Sequence, residues 1–584
     1  MGQYKQEKWT LEGLLEGNEK GAERAIALID EIAARIEAVR QELRPDISGA
    51  RLMEIVREVE AFVEAARRLE GYAGLWFTED TQNQQALAFM GRAEQAVAEA
   101  RNRILFFDLW WRALDEKNAE RLMAEAGELR YYLHRQRQFS KHTLSEPEEK
   151  VISIKDLNGA SALDSLYDII TNRYKFNLEV EGERKELTRD ALMAYVRDAS
   201  GEVRESAYRE QFRLYAGDAP VLGQIYINKA RDWANENLKM RSFKSPISAR
   251  NLANDLPDEV VETLLGVCES EAHVFRGYFD WKARELGSKK LRRFDLYAPV
   301  SKTTEAKIEF AEGVEMVLEA FGKFDSRFRD GALELINARH MDSQIRQGKR
   351  GGAFCYSVLP KMLPWVLLNY TGEPREVATM AHELGHAMHS ILARDKSALT
   401  FDPVLPLAET ASVFSEMLLM DHLLGAIDDP AVKRDMIASK VDDMYATVLR
   451  QAYFVIFERK AHEMIVSGAT TDELGKDYLD TLTRQFGDSV EVDEVFMHEW
   501  ISIPHIYHVP FYCYAYSFGM LLSLALYDRY KQEGAGFAPV FVRLLSHGGS
   551  MSPADILAEA GVDMRDAEFW RGGFRVIEQM VGRL

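Results

Sequence analysis

The chain has 584 residues, of which 47% are hydrophobic and 28% are charged, a composition typical of folded globular proteins. Lysine and arginine number 73, against 93 aspartate and glutamate residues, so the net charge is −20. This acidic balance argues against a nucleic-acid partner, because a phosphate-binding protein carries a broad basic face.

The same survey argues against a membrane protein and a disulfide-stabilised one. The longest apolar stretches, such as residues 518–527, are shorter than the roughly 20 residues that a membrane-spanning helix requires. We therefore expect no membrane partner. The three cysteines, Cys268, Cys355 and Cys513, are too few and too scattered for a disulfide framework, which favours a reducing compartment. The predicted location is cytoplasmic.

The first part of the chain is predicted to be helical. From Trp9 to Arg135 the sequence is rich in Ala, Glu, Arg and Leu, with apolar residues every three or four positions. The spacing does not hold a strict heptad, which favours a helical bundle over a coiled coil. Alternation of apolar and polar residues around Gly182 then predicts a β-hairpin. We divide the chain near this hairpin, into residues 1–180 and 181–584.

Helical periodicity resumes beyond the hairpin but is interrupted again over residues 333–370. This segment contains Gly351, Gly352, two prolines and the run Trp365–Tyr370, which predict loops and short strands within a mainly helical protein. A local switch of this kind is typical of functional sites. The run from Trp365 is either a strand edge that pairs with an extended peptide or a buried strand, and the sequence leaves both open. Helices return after residue 371.

The most informative motif is Ala381-His-Glu-Leu-Gly-His386, which lies on a helix predicted over about residues 374–394. His382 and His386 are one helical turn apart, so both imidazoles point to one site, as a first-row metal requires. Glu383 is close enough to reach a metal-bound water, which is the position of a general base. The alternative is a pair of surface histidines.

A metal site of this kind needs a third protein ligand, and two known arrangements fail. The metzincin pattern requires Gly and His where His389 and Leu392 stand, and a thermolysin-like glutamate would fall on Pro406. Glu409 is the next candidate, in an apolar segment where a carboxylate needs a partner or a metal. Glu416 lies two turns further on the same face. It is either an acceptor that orients an imidazole or a solvated charge.

Together these motifs resemble the thimet oligopeptidase/neurolysin family of metallopeptidases, and in particular its oligoendopeptidase F branch. The matching segments are residues 351–355, 364–371, 382–389, 408–416, 504–507 and 510–516. The resemblance implies one Zn²⁺ per chain, short peptide substrates and a mainly α, two-part helical body that encloses a deep channel. The short strands predicted within residues 333–370 would form a small β element beside the zinc helix. Residues 1–180 would then wall the channel, and residues 181–584 would form the catalytic domain.

A second cluster of chemically useful side chains lies at residues 505–516, which hold two histidines and four tyrosines. A peptidase must stabilise the oxyanion of a tetrahedral intermediate with hydrogen-bond donors. The resemblance implies that Tyr507 and Tyr514 bind the oxyanion or a substrate carbonyl, with His505 nearby. The alternative is that the tyrosines are core aromatics with a polar edge. The predicted substrate contacts are His508, Tyr512 and Gly352. His508 competes with His505 for the position near the two tyrosines.

We therefore predict a zinc-dependent oligopeptidase that hydrolyses internal bonds of short, unfolded peptides through a metal-activated water. Zinc would be bound by His382, His386 and Glu409, with Glu383 as the base. One alternative is a zinc carboxypeptidase, which needs a donor for the free carboxylate, and Arg350 is the candidate. The other is a non-catalytic, peptide-binding helical scaffold. Structural zinc sites usually have four protein ligands, whereas three ligands and a base favour catalysis.

Overall fold

The computed structural model describes residues 4–15, 18–300 and 307–584. About 71% of the chain is helical with little strand, which confirms the predicted mainly α fold class. The chain forms two compact units: unit 1 is Met1–Thr143, Glu305–Ala426 and Arg529–Asp563, and unit 2 is Leu144–Thr304, Ile427–Asp528 and Met564–Leu584. These units interleave along the chain. They do not follow the single boundary near residue 180, and that division, like the channel, stays a prediction.

Helices make up most of the first half of the chain. Those up to residue 143 are α1 (Asn18–Ala38), α2 (Gly49–Glu79), α3 (Gln84–Ala113), α4 (Glu116–Met123) and α5 (Arg130–Gln138). Those up to residue 304 are α6 (Glu146–Asn158), α7 (Ala160–Asn172), α8 (Arg189–Ala194), α9 (Gly201–Trp233), α10 (Pro246–Ala253), α11 (Asp258–Ser270) and α12 (Ala272–Glu285). A π-helical segment, Ala234–Met240, follows α9 directly.

The second half of the chain continues the helical pattern. The helices up to residue 426 are α13 (Phe310–Phe324), α14 (Ser326–Asn337), α15 (Pro374–Leu392), α16 (Leu405–Ala408) and α17 (Thr410–Ala426). The remaining helices are α18 (Pro430–Thr447), α19 (Leu449–Val466), α20 (Thr471–Phe486), α21 (Pro504–His508), α22 (Tyr514–Glu533), α23 (Ala538–Ser546), α24 (Pro553–Glu559) and α25 (Ala567–Val581). Over the described residues, no helix is both long enough and apolar enough to cross a bilayer.

Helices α1, α2 and α3 of unit 1 pack against one another through their apolar faces. Ser48 and Asn83 begin α2 and α3, and their side chains accept hydrogen bonds from amides of the first turn. Along α2 the buried residues Leu52, Val56 and Val59 recur at helical spacing. Burial of each such side chain stabilises the fold by roughly 1.5–3 kcal/mol. The first part of the chain is therefore held together as a helical bundle.

The strands are short and form small sheets. In unit 2, β1 (Phe176–Val180) and β2 (Glu183–Leu187) form an antiparallel hairpin, and β3 (Leu291–Arg292) pairs with β7 (Val490–Glu491). Glu181 and Gly182 both have positive φ, as a two-residue hairpin turn requires. In unit 1, β4 (Met341–Asp342), β5 (Phe354–Tyr356) and β6 (Trp365–Leu367) form one sheet in the order β4-β6-β5.

Strand β6 (Trp365–Leu367) answers the question that the sequence left open for the start of the 365–370 run. It lies between β4 and β5, and all three of its residues are completely buried. A strand with neighbours on both sides has no free edge for a peptide, so the strand-edge interpretation is wrong and the buried-strand interpretation is right. The edge strand beside it is β5, which packs against α15.

Candidate functional site

The local sequence explains why α15 forms and which face it buries. The helix begins at Pro374, and Glu373 and Glu376 form a capping box with the first backbone amides. Val377, Met380 and other apolar residues form the buried face. The two histidines of the motif lie on the neighbouring face and keep about a quarter of their side-chain surface exposed.

Three possible metal ligands converge in unit 1. The Nε2 atoms of His382 and His386 are 3.2 Å apart. Glu409 Oε2 lies 3.4 Å from the first nitrogen and 3.5 Å from the second. Four ligands at zinc distances of about 2.1 Å in a tetrahedron are separated from one another by about 3.4 Å. The three atoms therefore fit one face of a tetrahedral zinc site. Among the described residues they form the group suited to hold a metal.

Glu409 reaches this position from the junction between α16 and α17. Its carboxylate Oε2 accepts a hydrogen bond from Ser412 Oγ at 2.8 Å. Since this bond uses a lone pair of the oxygen nearest the imidazoles, it fixes the carboxylate towards them. The sequence left Glu409 as the next candidate ligand, and the structure brings it to His382 and His386 from the junction between two helices.

Glu416 lies on the far side of His382 from the three converging atoms. His382 Nδ1 donates to Glu416 Oε1 at 2.5 Å, which leaves Nε2 directed at Glu409. Burial lowers the pKa of His382, but this bond and the nearby carboxylates outweigh burial and raise the pKa to about 9. A metal that binds Nε2 must therefore displace a proton. For His386, burial lowers the pKa, so this imidazole is already neutral.

Glu383 differs from the other carboxylates in its surroundings. It is buried beside β5 and accepts a hydrogen bond from the backbone N–H of Cys355. Burial raises its pKa to about 7, and the charge of Glu409 adds to this effect. A carboxylate whose pKa lies near neutrality can both accept and return a proton.

Gly385 explains how α15 and α17 approach so closely. A Cβ atom at this position would lie 2.6 Å from Ala411 O and from Ser412 Cα, and 2.8 Å from Ser415 Oγ. Only glycine leaves room for α17 at this distance. The glycine of the motif thus brings the helix that carries Glu416 against the helix that carries the histidines.

The remaining unit 1 residues that the sequence singled out have varied surroundings. Gly352 has φ +79 with open space around it, and its carbonyl accepts from Asn369 Nδ2 at 2.8 Å. Arg350 is exposed, with its guanidinium 5.7 Å from the centre of the Phe354 ring. His389 is buried, and burial lowers its pKa to about 3.

In unit 2, the structure separates the two predicted tyrosines from their more exposed neighbours. Tyr507 and Tyr514 are completely buried. The hydroxyl of Tyr507 donates to Leu222 O at 3.3 Å, and that of Tyr514 accepts from Asn254 Nδ2 at 2.8 Å. Tyr507 also stacks on Tyr167, with ring centres 4.0 Å apart. Both hydroxyls are thus engaged inside unit 2, and their role as donors to substrate stays a prediction.

The partly exposed members of this segment form a cluster of their own. His505 Nε2 and Tyr516 Oη are 3.2 Å apart, the rings of His505 and Tyr512 stack at 5.8 Å, and Tyr512 meets Tyr516 edge-on at 5.2 Å. We call these three residues the His505 cluster. His508 is exposed, with Nε2 3.1 Å from a carboxylate oxygen of Asp168. Burial lowers the pKa of His505, so its imidazole is neutral near pH 7.

Several of these contacts involve residues for which the sequence predicts no role. Tyr516 stands in the same motif as Tyr514, but the sequence predicts no function for it. The close approach at Gly385 could have been suspected from a glycine inside a helix, where it costs stability. The bond from Cys355 to Glu383 depends on a strand far away in the chain and left no local signal.

Comparison with known proteins now identifies the family. Residues 193–576 match the model of Peptidase family M3, and residues 110–176 match that of Oligopeptidase F. The chain belongs to peptidase family M3. This confirms the predicted resemblance and the predicted enzyme class, a metalloendopeptidase, and sets aside the non-catalytic scaffold.

Individual relatives agree with this assignment. An oligoendopeptidase F homolog of Borreliella burgdorferi is 25% identical over 571 residues, which cover 96% of this chain and 94% of that protein. A structure described as a candidate peptidase of Chlamydophila abortus has a TM-score of 0.88 at 23% identity, over 98% of this chain and 97% of that chain. Oligoendopeptidase-F from Enterococcus faecium has a TM-score of 0.72 at 21% identity, over 97% and 98%. The two structures show that the fold is shared.

Proposed function

We propose that this protein is a zinc-dependent oligopeptidase that hydrolyses internal bonds of short, unfolded peptides. The observation that carries the proposal is the triangle formed by His382 Nε2, His386 Nε2 and Glu409 Oε2, with sides of 3.2–3.5 Å. Two imidazoles and one carboxylate form the ligand set typical of hydrolytic zinc sites, which keep one position for water or substrate. A structural site would use four protein ligands. The proposed cofactor is one Zn²⁺ per chain.

The chemistry is divided between the cofactor and the residues around it. When bound, zinc would supply a Lewis acid that polarises the scissile carbonyl and lowers the pKa of an attacking water. Glu383 would accept the proton that this water loses and return it to the leaving nitrogen, a task that its raised pKa supports. Glu416 would keep the proton on Nδ1 of His382, so that Nε2 stays available as a ligand.

We further propose that the 505–516 segment supplies donors to the substrate. The partial exposure of the three residues of the His505 cluster supports their contact with a substrate. The hydroxyls of Tyr507 and Tyr514 are already hydrogen-bonded within unit 2, which supports a role in positioning the segment. His508 and Gly352 stay predicted substrate contacts. A cytoplasmic location also stays a prediction, based on the cysteine content.

The test uses fluorescence-quenched peptides of graded length, each with an acetylated N-terminus and an amidated C-terminus. An endopeptidase cuts such peptides internally, whereas a carboxypeptidase needs the free carboxylate. Chelator-treated protein should be inactive, and Zn²⁺ should restore cleavage while Mg²⁺ should not, because nitrogen ligands disfavour Mg²⁺. Cleavage only of peptides with a free C-terminus would replace the endopeptidase with the carboxypeptidase alternative. Full activity after complete removal of metal would overturn zinc dependence.

A further inference from the structure

The loop between α21 and α22 has an unusual backbone conformation. Phe511 has φ +58, in the left-handed region that favours glycine, and its ring is completely buried. A bulky residue rarely adopts this conformation, and it persists only where the surroundings determine it. Tyr512 follows directly in the chain. The conformation of residue 511 therefore sets the direction in which Tyr512 and the start of α22 leave the loop.

Two ionisable side chains hold the peptide group between Pro510 and Phe511, one at its carbonyl and one at its amide. Arg250 Nε, on α10, donates to Pro510 O at 3.0 Å. Glu458 Oε1, on α19, accepts from Phe511 N–H at 2.9 Å. A peptide group whose carbonyl and amide are both bonded cannot rotate without breaking two hydrogen bonds. Neither helix is close in sequence to the loop, so these contacts come from the tertiary fold.

A third contact holds the next part of the segment. Asn254 lies just beyond the end of α10, and its Nδ2 donates to the hydroxyl of Tyr514 at 2.8 Å in the interior of unit 2. The segment is thus held by three hydrogen bonds, at the Pro510 carbonyl, the Phe511 amide and the Tyr514 hydroxyl. We call Arg250, Asn254 and Glu458 the segment clamp.

The burial of Glu458 shows that this arrangement is costly by itself. The residue is completely buried, and within the described part of the chain its Oε2 has no hydrogen-bond partner. Burial of a carboxyl group with unsatisfied hydrogen-bonding capacity disfavours folding. An apolar residue of similar size would stabilise the core of unit 2 better, unless the bond to Phe511 is needed. A costly polar group that fixes a strained backbone indicates a requirement for one conformation.

The fixed segment carries part of the His505 cluster. Tyr512 is adjacent to the clamped peptide group, and Tyr516 lies in the first turn of α22, two residues after the clamped Tyr514. A rotation at residue 511 would separate Tyr512 from the His505 ring, which it stacks upon at 5.8 Å.

We propose that Arg250, Asn254 and Glu458 are positioning residues, which hold residues 510–514 so that the His505 cluster is presented to substrate in a fixed geometry. This inference rests on the proposed peptidase function of the cluster. None of the three residues needs to touch the substrate. Misplacement of reacting or stabilising groups by about 1 Å costs on the order of 100-fold in rate, which sets the scale of the expected effect.

The experiment compares Glu458→Leu with Glu458→Gln in the full-length, zinc-loaded protein. Leucine removes the acceptor for Phe511 N–H, whereas the glutamine carbonyl can still accept that bond. We expect Glu458→Leu to lower kcat by about 10- to 100-fold with little change in KM. We expect Glu458→Gln to keep kcat within about threefold of wild type. Zinc content should be the same in all variants.

A second readout does not depend on catalysis. Hydrogen–deuterium exchange of a peptide covering residues 509–515 should be faster in Glu458→Leu than in wild type and unchanged in Glu458→Gln, because the Phe511 amide loses its acceptor. If Glu458→Leu does not fold, Arg250→Met replaces it, since it removes the donor to Pro510 O from a partly exposed position. Tyr278→Phe is the matched control, because it removes a buried hydrogen bond of unit 2 that does not contact the segment.

The outcomes separate this inference from the proposed function. A loss of kcat with faster exchange in the Leu or Met variant, rescue by Gln and normal kcat in Tyr278→Phe would support the clamp. Unchanged kcat or unchanged exchange in the folded Leu or Met variant would overturn it, as would an equal loss of kcat in Tyr278→Phe. If the wild-type protein cleaves no peptide, the proposed function fails. Unchanged exchange in the same samples would then overturn the clamp as well.

Discussion

A methyl group added to Gly385 should disrupt metal binding without touching a metal ligand. In Gly385→Ala the new Cβ would lie 2.6 Å from Ala411 O and from Ser412 Cα, whereas ordinary contacts begin at 3.4 Å. Both neighbours are backbone atoms, so no side-chain rotation relieves the overlap. Helix α17 must therefore move away from α15 by about 0.8 Å, the difference between these two distances.

This movement exceeds what a metal site tolerates. Ligand distances in metal sites hold to within about 0.2 Å. Glu409 directly precedes α17 and Glu416 lies within it, so both carboxylates move with the helix. We expect zinc affinity to fall by about 10- to 100-fold, the range seen when groups that orient ligands are removed. Overpacking should also lower the free energy of unfolding by about 1–3 kcal/mol.

The assay is a zinc titration against a chromophoric chelator, together with thermal unfolding of the metal-free protein. Gly91→Ala on α3 is the matched control, because a Cβ there meets open space. Alanine in a helix interior is favoured over glycine by up to about 1 kcal/mol, so this control should keep zinc affinity and gain slightly in stability. Zinc affinity of Gly385→Ala within about twofold of wild type would refute the reasoning, since a 0.8 Å shift could not leave the site intact.

Three further predictions concern single carboxylates. Glu383→Gln should keep zinc and lose about 10²- to 10⁴-fold in kcat on a quenched peptide, and loss of zinc with activity retained would contradict its role as base. Glu409→Ala should weaken zinc binding by at least about 100-fold in the same titration, and full metal content would assign the third ligand elsewhere. Burial outweighs the hydrogen bond from Phe511 and the charge of Arg250 and raises the pKa of Glu458 to about 8. The stability that the neutral form of Glu458 contributes is therefore complete below about pH 4.5 and is lost as pH rises through 8. Urea unfolding from about pH 5 to pH 9 should show that loss in wild type and not in Glu458→Gln, and parallel curves would count against the buried neutral acid.

The residues that could be predicted from sequence are those whose geometry is set by one helix. His382 and His386 face one site because four residues span about one helical turn, and no other part of the fold is needed for that conclusion. Glu416 is a different case. Its spacing from Glu409 indicated a shared helix face, but the structure has Glu409 at a junction before α17 rather than within the same helix.

The features that could not be predicted depend on contacts between distant segments. Tyr507 and Tyr514 are seven residues apart in a motif that looks catalytic, yet their burial follows from Leu222 and Asn254, each more than 250 residues away. The central position of β6 in its sheet could not be predicted either, because the local pattern of a buried strand does not reveal which strands flank it. Hydrophobic periodicity gives the buried face of an element but not its neighbours.

The three carboxylates near the paired imidazoles illustrate how environment can divide roles among identical groups. Glu409 keeps about a third of its side chain exposed and faces both Nε2 atoms, as a ligand must. Glu416 faces Nδ1 of one imidazole, where it can only hold a proton in place. Glu383 is buried, and burial raises its pKa to about 7 against the opposing charge of His382. Proton transfer near neutral pH needs a group whose pKa lies near neutrality, and of the three carboxylates Glu383 is the most deeply buried. The proposed division into base, ligand and orienting group is therefore supported by burial and direction, and not by the order of these residues along the chain.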